Sequence, residues 1–176
     1  KQEIETLLPS AFDFAEERDS EDYIYLSEDL ITLAGKKLHS KRNFINRFTN
    51  TYDGRWQFEN LSDDNVHEVF DFHLEWCENN TQHMDEESSM GETSAISSAL
   101  KNFKELELKG GIIRLDGKII AFTLGVRATD DMFILQVEKA DSTIQGSYQM
   151  INQQFAEHNL KDVKYVNREE DLGIEG

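Results

Sequence analysis

Apolar positions change their spacing several times along the chain, and each change marks an element. In "RWQFENL", residues 55–61, Trp56 and Phe58 alternate with polar neighbours, which predicts a half-buried strand. Ser62 follows as a helix cap, with Asp63 and Asp64 in the first turn. Val66, Val69, Phe70, His73 and Cys77 then recur at helical spacing as an apolar stripe. The stretch "ENNTQHMDEESSMGET", residues 78–93, has no period and predicts a loop. Beyond it, Ala95, Ile96, Ala99, Leu100 and Phe103 outline a second amphipathic helix. In "GGIIRLDGKIIAFTLGVR", Asp116-Gly117 separates two strand-like runs and suits a type I′ turn, whose two central residues need positive φ. "ATDDM" makes another turn and "MFILQVE" a third strand of this series. Tyr148, Ile151 and Phe155 mark a helix ending near His158-Asn159, and "VKYVN" is a last strand.

Residues 1–54 have a different texture. Two short strand-like pieces lie around Phe12–Phe14 and Tyr23–Tyr25. A helix is expected from Ser27, with Glu28 and Asp29 complementing its dipole and Gly35 stopping it. Phe44, Ile45 and Phe48 predict another helix that ends near Tyr52, and "TYDGR" is the best boundary in the chain. From Arg55 the order is strand, helix, helix, three strands joined by hairpins, helix, strand. A strand–helix–strand unit of this length closes as a right-handed parallel crossover. The expected fold is therefore α+β: a mixed, mostly antiparallel sheet, parallel at the fourth and fifth strands of this series, flanked by helices.

Charge narrows the function classes. Eighteen basic residues against 35 acidic ones leave a net charge of -17, which repels DNA and anionic membranes over most of the surface. The single Cys77 excludes an internal disulfide framework, and no apolar run approaches the roughly 20 residues of a membrane span. A cytoplasmic location is expected. The chain begins at Lys1 and ends in "DLGIEG", where a helix is about to start, so a piece of a longer protein is expected. The five histidines do not fall at ligand spacing and "DEESS" lacks a calcium-loop pattern, so no metal site is expected. Nothing in the sequence sets the oligomeric state.

The element order resembles that of the GNAT acyltransferase superfamily. More specifically, "DYIYLSEDLITLAGKKLHSKRNFINRF", "AFTLG", "EKADSTIQGSYQMINQQFAE" and "YVNREEDLGIEG" together resemble an uncharacterised bacterial family. Its members are similar to the C-terminal domain of phosphatidylglycerol lysyltransferases and carry two GNAT-like units in tandem. The resemblance implies that residues 1–54 are the C-terminal part of a preceding unit plus a connecting helix. Residues 55–176 are then a GNAT-like domain truncated at its C-terminus. It also implies a transferase that moves an acyl or aminoacyl group from acyl-CoA or an aminoacyl-tRNA to an amine or lipid-type acceptor, with no permanently bound cofactor. The alternative is a GNAT-derived module that binds a ligand or protein without catalysis.

Within that resemblance, the turn before the Tyr148 helix is where backbone N–H groups and a helix N-terminus hold the donor's pyrophosphate. Ile144, Gln145, Gly146, Ser147 and Tyr148 occupy it, and Lys139 adds positive charge. Thr143 stands where the superfamily has Gln or Arg, and Tyr148 where it has a small residue, so the phosphate chemistry is degraded. Gly146 otherwise only eases the backbone into the helix. Glu138 is either a general base for the attacking amine or half of a surface pair with Lys139. In "GKKLHSKRN", Lys37 and Lys41 lie one turn apart if helical, and with Arg42 they offer a phosphate or acceptor contact, or a solvated helix face. Asn167 and Arg168 follow the last strand at the edge of a parallel pair where ligands bind, and either orient a polar acceptor or, for Arg168, neutralise the acidic run that caps the next helix.

Overall fold

The computed structural model describes residues 6–7, 11, 21–80 and 86–170. Its strands are β1 (Asp22–Leu26), β2 (Trp56–Asn60), β3 (Lys109–Leu115), β4 (Lys118–Arg127), β5 (Met132–Ala140) and β6 (Tyr165–Glu170). Its helices are α1 (Ser27–Thr32), α2 (His39–Thr51), α3 (Val66–Asn80), α4 (Glu86–Lys101) and α5 (Ser147–Asn159). The strands form one sheet in the order β1-β6-β5-β4-β3-β2. Every neighbouring pair is antiparallel except β5 and β6, which are parallel across the α5 crossover. The mixed α+β architecture expected from the element order is present, with its one parallel pair where the crossover helix returns. No helix among the described residues is long and apolar enough to cross a membrane.

Helices cover both faces. Helix α5 lies on one, with Phe155, Met150 and Ile151 buried against Phe133, Leu135 and Ile113, and α1 and α2 pack beside it. On the other face α3 and α4 bury Val69, Ile96 and Leu100 against Ile112, Phe122 and Leu124. Phe48, Phe122, Phe133 and Phe155 are among the fully buried side chains, and each contributes about 1.5–3 kcal/mol by leaving water. Strand β1 extends the sheet by pairing with β6, so residues 22–26 share the hydrogen-bonded framework of the later strands.

Asp116 and Gly117 both have positive φ, 50° and 82°, as the β3–β4 turn requires. Other local features differ from the pattern reading. Most of residues 78–93 is helical, because α3 runs to Asn80 and α4 begins at Glu86. A helix turn without an apolar stripe is invisible to periodicity, and Met90, the large apolar residue of this stretch within the described residues, is 75% exposed. Helix α3 starts at Val66 rather than just after Ser62. Asn65 organises the entry: its side-chain oxygen accepts the Ser62 N–H at 2.8 Å and its amide donates to the Asn60 carbonyl at 3.1 Å. Helix α1 ends at Thr32 and is capped by Leu33, in the left-handed region at φ 50°, two residues ahead of Gly35. The strand-like piece at Phe12–Phe14 lies outside the described residues.

One irregularity controls which residues face which layer. Leu124 pairs with Val137 while Gly125 pairs with Leu135, so Gln136 is an extra residue, a β-bulge in β5. Before it, Phe133 and Leu135 face α5. After it, Val137 faces the α3–α4 layer, and Ala140 faces α5 again. Opposite the bulge, a Cβ on Gly125 would overlap the Ile134 carbonyl oxygen and the Phe133 ring. Gly125→Ala is expected to lower stability by about 1–3 kcal/mol, the usual range for overpacking. Urea denaturation followed by circular dichroism measures this, and an unchanged midpoint would show that the bulge adapts without cost.

Candidate functional site

Strands β5 and β6 are paired only from Met132–Tyr165 to Ile134–Asn167. Beyond that point β5 stays with β4 as far as Ala140, while β6 stays with β1 as far as Glu170. The two parallel strands therefore splay at their C-terminal ends, where open α/β sheets bind ligands. A cavity of about 220 Å³ occupies the opening, lined by Leu33, Lys41, Glu138, Tyr148, Gln149, Asn152 and Arg168.

Glu138 is the centre of this cleft. The bulge turns it toward α5, and its side chain is only 10% exposed. Oε1 accepts a hydrogen bond from Arg168 Nη2 at 3.0 Å and Oε2 one from Asn152 Nδ2 at 2.9 Å. A carboxylate held from two sides has one orientation, and a charge-assisted bond from arginine is the stronger of the two. Lys41 enters from α2, half-buried, with its ammonium 5.9 Å from the centre of the Tyr25 ring. Burial first, and then the Arg168 guanidinium, hold its pKa below the ordinary 10.5, while Glu138 pulls in the opposite direction. Two cations face one carboxylate, so the cleft carries a net positive charge inside a chain of net charge -17. Such a site attracts an anionic group and holds a hydrogen-bond acceptor, Glu138, beside it.

The other sequence-selected residues divide sharply. Arg42 donates to the Leu33 and Gly35 carbonyls, the latter at 2.8 Å, and so closes the α1–α2 connection. Lys37 precedes α2 and is exposed, so it shares no helical face with Lys41. Asn167 is 7% exposed, donates to Asp22 at 2.6 Å and accepts the Glu169 N–H at 2.8 Å, fastening β6 to β1. Lys139 points the other way from Glu138, as strand alternation demands. Its ammonium sits 4.0 Å from the Trp76 ring centre and 2.7 Å from Glu92.

The turn before α5 is closed rather than open. Gly146, at φ 93°, is buried, and a Cβ there would come within 2.9 Å of the Phe44 carbonyl oxygen of α2. Ser147 is 1% exposed and its hydroxyl donates to the Asp141 carbonyl at 2.8 Å. Ile144 packs into the core, and Gln145 accepts from Arg47 at 2.8 Å. Only Tyr148 of this group lines the cavity, its ring also packing partly into the core. Sequence reasoning missed Asn152 and Gln149. Asn152 carried a usable signal, a polar residue one turn after Tyr148 on the face that buries Phe155.

Comparison with known proteins agrees with this architecture. A conserved protein of unknown function from Bacteroides thetaiotaomicron has a solved structure that is 45% identical, with a TM-score of 0.90. The match covers 99% of this chain and 58% of that one. The C-terminal domain of a putative lysylphosphatidylglycerol synthetase from Agrobacterium fabrum shares the fold at 18% identity and a TM-score of 0.58, over 86% of this chain and 46% of that one. An uncharacterised protein of Mycoplasmoides gallisepticum is 25% identical over 162 residues, 88% of this chain and 49% of its own length. The chain thus spans about half the length of that curated relative and less than two thirds of the Bacteroides protein. Residues 2–176 match the family model described as phosphatidylglycerol lysyltransferase, C-terminal, and the chain belongs to that family.

Proposed function

We propose that the chain carries the GNAT-like part of a transferase, which moves an acyl or aminoacyl group to an amine or lipid-type acceptor in the cleft between β5 and β6. The observation that supports this most directly is the splay itself, with Glu138, Arg168, Asn152 and Lys41 gathered in the opening. A cavity of about 220 Å³ is smaller than the ~300–1,000 Å³ of pockets that enclose a drug-sized ligand. It suits the reacting end of a donor, not the donor's whole body.

In this reading an anionic group of the donor or acceptor pairs with Arg168 and Lys41. Drawing Arg168 toward that anion frees Glu138 Oε1, which then takes the proton of the attacking amine or hydroxyl. The new bond forms between the acceptor's nitrogen or oxygen and the acyl carbon. The thioester C–S or aminoacyl ester C–O bond breaks, and its electron pair leaves with the donor. Asn152 keeps the carboxylate aimed throughout. Acyl-CoA and aminoacyl-tRNA remain the two donor classes, and the burial of Gly146 and Ser147 beneath α2 favours the one that does not need pyrophosphate bound at that turn.

The same burial favours a second reading, a module of this fold that holds a ligand or protein partner without transferring anything. Thermal shift of the intact protein with acetyl-CoA, CoA and non-hydrolysable aminoacyl-adenosine analogues separates the two. A ligand at a hundredfold its Kd stabilises by about 2.7 kcal/mol, which raises Tm by about 5–10 °C for a chain of this size. We expect a shift with at least one donor class and its loss in Arg168→Ala. No shift with any of them would favour the non-catalytic module.

Two further outcomes follow from the geometry. Glu138→Gln keeps the shape and the Asn152 contact but removes the base, so transfer is expected to fall by about 10²–10⁴-fold while the donor-induced shift persists. Equal turnover by this variant would remove Glu138 from the chemistry. Lys41 binds an anion only while protonated, and its pKa lies below the ordinary 10.5. Anion affinity is therefore expected to weaken as the pH rises through that lowered value, and Lys41→Met should flatten the dependence in a calorimetric titration series.

A further inference from the structure

The polar groups of the Glu138 cleft are only partly used. Arg168 donates from Nη2 to Glu138 at 3.0 Å, and its other N–H donors have no acceptor among the described residues. Lys41 lines the same cavity, half-buried. Among the described residues its ammonium has no hydrogen-bond acceptor or ion-pair partner, and the Tyr25 ring centre lies 5.9 Å away. Glu138 accepts from Arg168 and Asn152, where an ionised carboxylate has room for about four bonds. Asn152 is 8% exposed, with Nδ2 committed to Glu138 and no donor to its Oδ1 among the described residues. Spare cationic donors and spare acceptors thus line one cavity of about 220 Å³.

Charge and spacing together define what fits. Lys41 and Arg168 against Glu138 leave a single positive charge, which one carboxylate neutralises and a phosphate dianion would overshoot. Spacing is the more selective of the two. Arg168 Nη2 and Glu138 Oε1 are 3.0 Å apart, so an anion on the spare arginine donors and an amine on Glu138 must sit close together in one ligand. An α-amino acid has that form, with carboxylate and ammonium on the same carbon. A lipid-type head group, whose free hydroxyl stands several bonds from its phosphate, spans too far. We propose that the cleft between β5 and β6 binds a free α-amino acid, its carboxylate on Lys41 and Arg168 and its ammonium on Glu138 and Asn152 Oδ1. That this amine is the acceptor rests on the transferase reading above; the binding itself does not. In that reading the ammonium passes one proton to Glu138 and another to the departing sulfur or oxygen. The amine nitrogen bonds to the acyl carbon, and the donor's C–S or C–O bond breaks with its electron pair on the leaving atom. The product is an N-acyl or N-aminoacyl amino acid.

Calorimetric titration of the whole chain at pH 7 with L-alanine, β-alanine, propanoate, isopropylamine and inorganic phosphate tests the proposal. L-Alanine is expected to bind saturably at one site, at least tenfold more tightly than each of the other four. β-Alanine carries the same two charged groups one carbon further apart, so its weaker binding reads the spacing alone. Lys41→Met should weaken L-alanine by tenfold or more while the melting transition remains cooperative. The proposal is overturned if L-alanine shows no saturable binding, or if any of the other four binds as tightly, comparisons that need no variant. It is likewise overturned if a folded Lys41→Met binds L-alanine as the unaltered chain does. Saturable L-alanine binding without a thermal shift from any donor would keep this site and sink the transferase reading. A donor-induced shift without L-alanine binding would do the reverse.

Discussion

A single extra residue in β5 decides which chemistry faces which layer. Without the bulge at Gln136, strict alternation would continue from Phe133 and Leu135. Val137 and Lys139 would then point toward α5, and Glu138 toward α3 and α4. The bulge reverses this, so the carboxylate meets Asn152 and Arg168 while the ammonium meets Trp76 and Glu92. Gly125 is its counterpart on the neighbouring strand, where a Cβ would have no room beside the Ile134 carbonyl oxygen and the Phe133 ring. Neutralisation on both faces follows from this one register shift. Each of the adjacent residues Glu138 and Lys139 has an oppositely charged partner from a different element, and neither pairs with the other.

Much of the architecture was legible because its elements announce themselves locally. Asp116-Gly117, the alternation at Trp56 and Phe58, and the helical spacing of Tyr148, Ile151 and Phe155 all led to the observed elements. The length of the crossover led to the parallel pair. The first half of α4 was not legible, since its sequence carries no apolar stripe and so gives no periodicity to find. Nor was the entry to α3, where the side chain of Asn65, three residues beyond Ser62, makes the organising bonds.

Legibility of the site was more uneven. Glu138 and Arg168 were selected for their charge near predicted strand ends and Lys41 within the basic run at residues 36–42, and the three converge in one cleft. Lys37 and Arg42 were selected in the same basic run, and Lys139 and Asn167 beside the same strand ends, yet all four go elsewhere. Charge identity and chain position could not separate the two groups. Separation depends on the bulge, which inverts the facing of everything after residue 136, and on where α2 begins. The helix starts at His39, so Lys37 falls in the preceding turn and Arg42 turns back on that turn's carbonyls. The Gly146 turn failed as an open cradle for a reason outside its own sequence: another helix occupies the space.

The contribution of residues 22–26 reaches beyond adding a strand. Strand β1 pairs with the outer side of β6, the strand that carries Arg168, and Asn167 is fastened to Asp22. A version of the chain beginning at Arg55 would leave β6 with a row of unsatisfied backbone donors and acceptors, a ready template for another strand. It would also lose Lys41 and Leu33 from the cleft wall and the Phe44 carbonyl from above Gly146. Shortening the protein at its most obvious sequence boundary would thus both invite self-association and dismantle one side of the cavity.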